Sequence, residues 1–128
     1  MAIVNTLKGT AQDFTASWVD YGPVVSSDGF DNMTIWIDID INNTQDARIR
    51  ILAMHISGGD EYVHAIEKTT PSVINVEDEY FEFTTDEDKK RVLKIALDGV
   101  IPCVQVQIQA GTVGATAGQI LDSKYILQ

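Results

Sequence analysis

The chain has 128 residues, 45% of them hydrophobic, which is enough for one domain whose core removes roughly two thirds of the unfolded surface from water. Nine Lys and Arg against nineteen Asp and Glu leave a formal charge of −10, which argues against partners met through a broad cationic surface, such as duplex nucleic acid or an anionic membrane. Cys103 is the only cysteine, so no internal disulfide holds the fold, and no apolar run approaches the ~18 residues needed to cross a bilayer.

Taken in order, Ala2–Leu7 reads as a short first strand or an extended arm, with 1–8 as its outer limits. Lys8-Gly9-Thr10 is a turn. Ala11–Asp20 then places Phe14, Ala16 and Trp18 on one parity of a second strand. Tyr21-Gly22-Pro23 and Ser26-Ser27-Asp28-Gly29 have loop chemistry, because Gly, Pro and short polar side chains supply turn conformations. Thr34–Met54 carries the clearest pattern in the chain. Ile35, Ile37, Ile39 and Ile41 alternate with Trp36, Asp38 and Asp40, Asn42–Asp46 breaks the alternation, and Arg48-Ile49-Arg50-Ile51 restores it. Because successive strand side chains point to opposite faces, this predicts a β-hairpin with an isoleucine face. Its register would set Asp40 opposite Arg48 and Asp38 opposite Arg50 as structural cross-strand pairs, each worth a few tenths of a kcal/mol. Leu52, Met54 and Ile56 share the parity of the arginines, so the far end of that outer face should be covered.

Ser57-Gly58-Gly59-Asp60 leads into Tyr62–Ile66, the third strand of a meander. Val73–Val76 and Tyr80–Phe83 are short strands separated by the solvated acids Glu77-Asp78-Glu79. Thr85 and Asp88 imitate a helix start before Val92, Leu93, Ala96 and Leu97, but period two puts Leu93, Ile95 and Leu97 in and Lys94 out, and a strand over Asp86–Leu97 suits the β context better. Ile101–Ala110 is a strand with Val104, Val106 and Ile108 inward. Its other face, Cys103, Gln105, Gln107 and Gln109, should be exposed or hydrogen-bonded. Gly111–Gly118 is a small-residue loop and Ile120–Leu127 a paired last strand. The whole predicts a single-domain, all-β antiparallel sandwich over 1–128, jelly-roll-like, with eight or nine strands.

Few residues suggest chemistry. His55, His64 and Cys103 lack the close ligand spacing of a metal or nucleophile site, so strand histidines and a small thiol are expected. Asp38 and Asp40 could pair as acid and base, but an Arg partner holds a carboxylate ionised, which does not suit a proton donor. Glu77-Asp78-Glu79 and Asp86-Glu87-Asp88 lack the ligand spacing of a calcium loop. Trp18, Tyr21, Trp36, Tyr62 and Tyr80 could stack on a sugar. Trp36, on the polar face beside Asp38, is the best of them, though a large aromatic there more often packs against a loop or another subunit. Neither catalysis nor a cofactor is expected, and neither is a metal or a small-molecule substrate.

The segments Gly29-Phe30-Asp31-Asn32-Met33-Thr34-Ile35-Trp36-Ile37-Asp38, Ser57-Gly58-Gly59-Asp60-Glu61-Tyr62 and Ile101-Pro102-Cys103-Val104-Gln105-Val106-Gln107, the last running into Gly111-Thr112, resemble the small β-sandwich virion proteins of tailed bacteriophages, including capsid decoration or cement proteins. The resemblance implies a non-enzymatic protein, made in the host cytoplasm, that sits on the capsid surface. It would bind the major capsid protein, often as a homotrimer, and bridge capsid subunits. Glycan- or receptor-binding modules of tail fibres are similar sandwiches. On this reading the segments that become buried on docking are the Ala2–Leu7 arm, with Ile3, Val4 and Leu7, and the loop with Thr112 and Val113. The apolar end of the hairpin, Trp36 with Leu52 and Met54, is the other docking surface.

Overall fold

The computed structural model describes residues 3–64, 66–70, 73–83 and 89–128, with the backbone alone for 66–70, 73–78 and 89. It is all β. In chain order the strands are β1 (Asn5–Lys8), β2 (Gln12–Asp13), β3 (Val19–Ser26), β4 (Asn32–Asp40), β5 (Gln45–Met54), β6 (Tyr62–Val63), β7 (Ile66–Thr70), β8 (Val73–Asp78), β9 (Phe81–Phe83), β10 (Lys89–Ala96), β11 (Cys103–Thr112) and β12 (Gln119–Leu127). One five-stranded sheet runs β1-β12-β4-β10, with β2 also on β12. The other runs β3-β11-β5-β6, with β9 also on β5, while β7 and β8 form a separate ribbon. Every pairing is antiparallel.

The connectivity is that of a jelly roll. With β1 and β2 taken as one interrupted strand, the second half of the chain retraces the first: β9 lies beside β5, β10 beside β4, β11 beside β3 and β12 beside β1. Alternating residues dictate the layers. Ile35, Ile37, Ile39 and Ile41 from the first sheet meet Ala47, Ile49 and Ile51 from the second in a core that also takes Val104, Val106, Ile108, Leu93, Ile95 and Leu97. Complete burial of each large aliphatic side chain contributes about 1.5–3 kcal/mol.

The Thr34–Met54 hairpin does not form. β4 and β5 lie in different sheets, and Ile41, Asn42, Asn43 and Thr44 carry the chain across the sandwich. Ile41 and Thr44 are buried, the Thr44 amide donates to the Ile41 carbonyl at 2.9 Å, and Asn42 sits at φ 45°. A surface turn would leave those two side chains in water. The isoleucine rows therefore face each other instead of lying side by side, an arrangement that satisfies the same alternation. The pairs Asp40–Arg48 and Asp38–Arg50 are absent. Asp38 has Lys90 and Asp122 as its cross-strand neighbours, Arg48 has Gln109 and Glu82, and Arg50 has Gln107.

Further boundaries differ from the sequence reading. The expected second strand Ala11–Asp20 is split between the sheets, Gln12–Asp13 pairing with β12 and Val19–Asp20 opening β3, because the chain at Phe14 and Thr15 changes sheets: the Phe14 amide donates to the Gly118 carbonyl and the Ala110 amide to the Thr15 carbonyl, both at 2.8 Å. Phe14 plugs the core and Trp18 lands on the outside of the second sheet. Tyr21-Gly22-Pro23 is inside β3 and is not a loop; Gly22, at φ 72°, makes a bulge where the β3–β11 register skips between Val104 and Val106. Of the expected strand Tyr62–Ile66 only Tyr62–Val63 pairs with β5, while Ile66 opens β7 and pairs with β8; Glu77 and Asp78 lie within β8, and Gly111-Thr112 extend β11. β1 is an edge strand preceded by exposed Ile3 and Val4, β6 pairs with β5, and β10 is a strand with Leu93, Ile95 and Leu97 inward. The acidic run 86–88 lies outside the described residues.

Candidate interaction surfaces

The outer face of the second sheet is occupied by its own side chains. Arg50 donates through Nε and Nη2 to Gln107 Oε1 at 2.9 and 2.7 Å, and the Gln107 amide donates to Asp20 Oδ1 at 2.9 Å. Arg48 pairs with Glu82 at 3.1 Å and reaches Gln109 Oε1 at 3.3 Å, while the Gln109 amide donates to the Ala16 carbonyl. Two aromatic rings lie against these cations. Trp18 has the Arg50 guanidinium 4.3 Å from its ring centroid and Tyr80 has that of Arg48 at 4.9 Å. The glutamine face is thus hydrogen-bonded, as its composition predicts. Leu52 and Met54, further along the same face, are buried, with Val63 opposite Leu52.

The outer face of the first sheet is more open. Trp36, 38% exposed, has Val92, 51% exposed, on one side and Lys124 on the other. Asp38, Lys90, Arg91 and Asp122 are among the other residues lining a depression of about 250 Å³ beside the indole. Asp122 accepts from Lys124 Nζ at 3.2 Å, which neutralises part of the rim.

A third surface closes one end of the sandwich, where β3, β5 and β10 finish and β4 and β11 begin. Three loops, 27–31, 55–61 and 97–102, meet there, and the Gly99 amide donates to the Phe30 carbonyl. Val100 is 75% exposed and Ile56 69%, with Tyr62, Val63 and Phe30 also open. Tyr62, His55, Met54, Val100, Ile101 and Pro102 line a depression of about 180 Å³, and the His55 and Tyr62 rings meet edge to face at 5.6 Å. The three loops carry five exposed acids, Asp28, Asp31, Asp60, Glu61 and Asp98, and contain no Lys or Arg. The triplets Asp28-Gly29-Phe30 and Asp98-Gly99-Val100 are this surface's sequence signal: a tight turn followed by an apolar residue where a polar one would serve. Period-two reading passes over them because they lie between strands.

The residues expected at an interface do not form one patch. Ile3 and Val4 leave β1 at the same end as these loops, since Asn5 stands opposite Tyr125 near the finish of β12. Leu7 is part of the core, and Leu52 and Met54 are buried in the sheet opposite that of Trp36, so none of the three is free to dock as the sequence reading expected. Thr112 and Val113 are exposed at the other end. The aromatic residues do not make one platform either: Tyr21 is buried, Trp18 and Tyr80 pair at 6.1 Å beneath their arginines, Tyr62 is at the loop end, and Trp36 stands apart. His64 contacts the Ala96 carbonyl through Nε2 at 2.7 Å, and among the described residues no group of three His, Cys, Asp or Glu is arranged to hold a metal ion.

These features define a jelly-roll β-sandwich whose open surfaces are a Trp-bearing sheet face and an apolar loop end. No family model and no curated protein matches the chain. Among solved structures it is similar in fold to the SPBc2 prophage-derived protein YomS, with a TM-score of 0.53 over 99% of this chain and 92% of that one, at 11% identity.

Proposed function

We propose that the chain is a non-enzymatic structural protein of a bacteriophage virion, of the capsid decoration or cement kind. It binds the major capsid protein on the outer surface of the head, as a homotrimer, and bridges neighbouring capsid subunits. The observation that carries this reading is the likeness in fold, along almost the whole chain, to a prophage-derived protein. The acidic surface is compatible with it, since a charge of −10 disfavours contact with packaged DNA. The test is addition of the purified chain to heads of the encoding phage from which it has been stripped. Saturable co-sedimentation and a higher temperature of head disruption are expected. Heads that neither bind it nor gain stability would overturn the assignment.

One observation favours a second reading, a glycan-binding module. Trp36 is half-open beside Asp38, Asp122 and Lys124 around a shallow depression, a layout in which an indole stacks on a sugar ring while charged groups bind its hydroxyls. Saturable binding on a glycan array, lost in Trp36→Ala, would establish this reading in place of the first.

A further inference from the structure

We propose that the chain associates with copies of itself through a heterologous contact, in which the apolar, acidic loop end of one copy seats on the Trp36–Val92 face of the next. Two surfaces of opposite character exist on the same molecule. The loop end offers Val100, Ile56 and Tyr62, and the loops that form it carry Asp28, Asp31, Asp60, Glu61 and Asp98, all of them exposed. The face offers Trp36 and Val92 with Lys90 and Lys94 along β10 and Lys124 across β12, also exposed, against Asp38 and the Asp122 that Lys124 already engages. The acids of the loop end thus find complementary cations beside Trp36 and Val92, Lys90 and Lys94 above all, since Lys124 is engaged by Asp122. Such complementarity steers encounter and fixes register, while the desolvated aromatic and aliphatic side chains at the centre supply the affinity.

Contact between two copies of the same surface is disfavoured by the same charges. Loop end against loop end would bring five acids on each side together. A two-fold pairing of β10 edges centred on Val92 would set Lys90 of one copy opposite Lys94 of the other, and like charges directly opposite are destabilising. A contact between two different surfaces made once per pair of copies leaves one of each surface unfilled, so it generates a ring or an open chain of subunits. This deepens the oligomeric part of the function proposed above but does not depend on the capsid, because it is tested on the purified chain alone.

Two variants make the test. Ile56→Asp with Val100→Asp disables the loop end, and Trp36→Glu with Val92→Glu disables the face. All four positions are exposed, and circular dichroism with thermal melting establishes that each variant is folded. Should the face variant not fold, Lys90→Glu with Lys94→Glu replaces it. Sedimentation velocity of the unaltered chain should show a mass above 14.1 kDa that falls as salt is added. Each variant alone should be monomeric. An equimolar mixture should give a one-to-one pair and nothing larger, because each variant keeps the half that the other lacks. An unaltered chain that stays monomeric up to about 1 mM, the weak limit of specific contacts, would overturn the proposal. A single variant that still self-associates would overturn it too, and so would a mixture that stays monomeric.

Discussion

At the scale of single residues, the most informative is Tyr21. Its side chain crosses the core from β3 in the second sheet to reach Ser123 on β12 in the first, with the hydroxyl oxygens 2.6 Å apart. Ser123 Oγ accepts from the Lys8 amide at 3.1 Å, so one buried hydroxyl pair ties β3, β12 and β1. Tyr21→Phe should cost about 1–2 kcal/mol, the penalty for leaving a buried hydroxyl short of a partner, read as a lower urea midpoint. Burial pushes the Tyr21 phenol above its ordinary value of 10.0; the Ser123 hydrogen bond partly opposes this and the nearby Asp122 carboxylate reinforces it. The folded state thus holds its proton at a pH where the unfolded chain releases it. Stability from this source is complete below about pH 10 and declines as pH rises from there towards the folded value. Denaturation between about pH 9 and 11, roughly the span around the ordinary tyrosine value, should show a steeper alkaline loss for the unaltered chain than for Tyr21→Phe. Gly22, next in sequence, stands at φ 72°, and a β-carbon there would lie 2.9 Å from the Leu7 carbonyl oxygen. Gly22→Ala should therefore destabilise by about 2 kcal/mol or more, measured in the same way, since it adds left-handed strain to a backbone collision.

At the scale of elements, faces were legible in the sequence and neighbours were not. The parity of Ile35, Ile37 and Ile39, of Val104, Val106 and Ile108, and of Leu93 and Ile95 states correctly which side of each strand is buried. It cannot state which strand lies alongside, because an isoleucine row is equally content against a sheet opposite or beside its own neighbours. Charge across a short connection suggests pairing of Asp38 and Asp40 with Arg48 and Arg50, but Ile41 is packed in the core and Thr44 is buried with its hydroxyl accepting from the Gly118 amide, and that makes the connection an arch. Engineered disulfides separate the two topologies. In a Cys103→Ser background, Asp38→Cys with Lys90→Cys should oxidise readily, since these are Cα partners across β4 and β10, within the ~4.4–6.8 Å that a disulfide spans. Asp38→Cys with Arg50→Cys, the pair a hairpin would bring together, should remain reduced. Free-thiol titration after mild oxidation reads the result. The bulge at Gly22 was illegible for a similar reason: Tyr-Gly-Pro has the local chemistry of a turn, and only the three-dimensional approach of Gln105, whose amide donates to the Gly22 carbonyl at 3.0 Å, keeps it within a strand.

At the scale of the whole molecule, charge governs behaviour more than any single site does. With a pI near 4.3 the chain carries a net negative charge at neutral pH that opposes non-specific aggregation without preventing a specific, charge-complementary contact, and light scattering should reveal a solubility minimum close to pH 4.3 as that net charge vanishes. Function was less legible than fold because open surfaces arise from loops that converge only in space: Phe30, Ile56 and Val100 are far apart in sequence and meet at one end of the sandwich. The retracing path of the jelly roll has a kinetic consequence as well. β12, the last of the strands to be synthesised, lies between β1 and β4, which are among the first. The first sheet is consequently divided until β12 has been made, and Leu7, Phe14 and the isoleucines of β4 must wait for Ile120 and Tyr125 to enclose them. Closing loops of such length before any pairing rewards them makes folding slow. During that interval the chain presents apolar strand edges to its surroundings, so the yield of native protein in a cell will depend on how quickly β12 is inserted between β1 and β4.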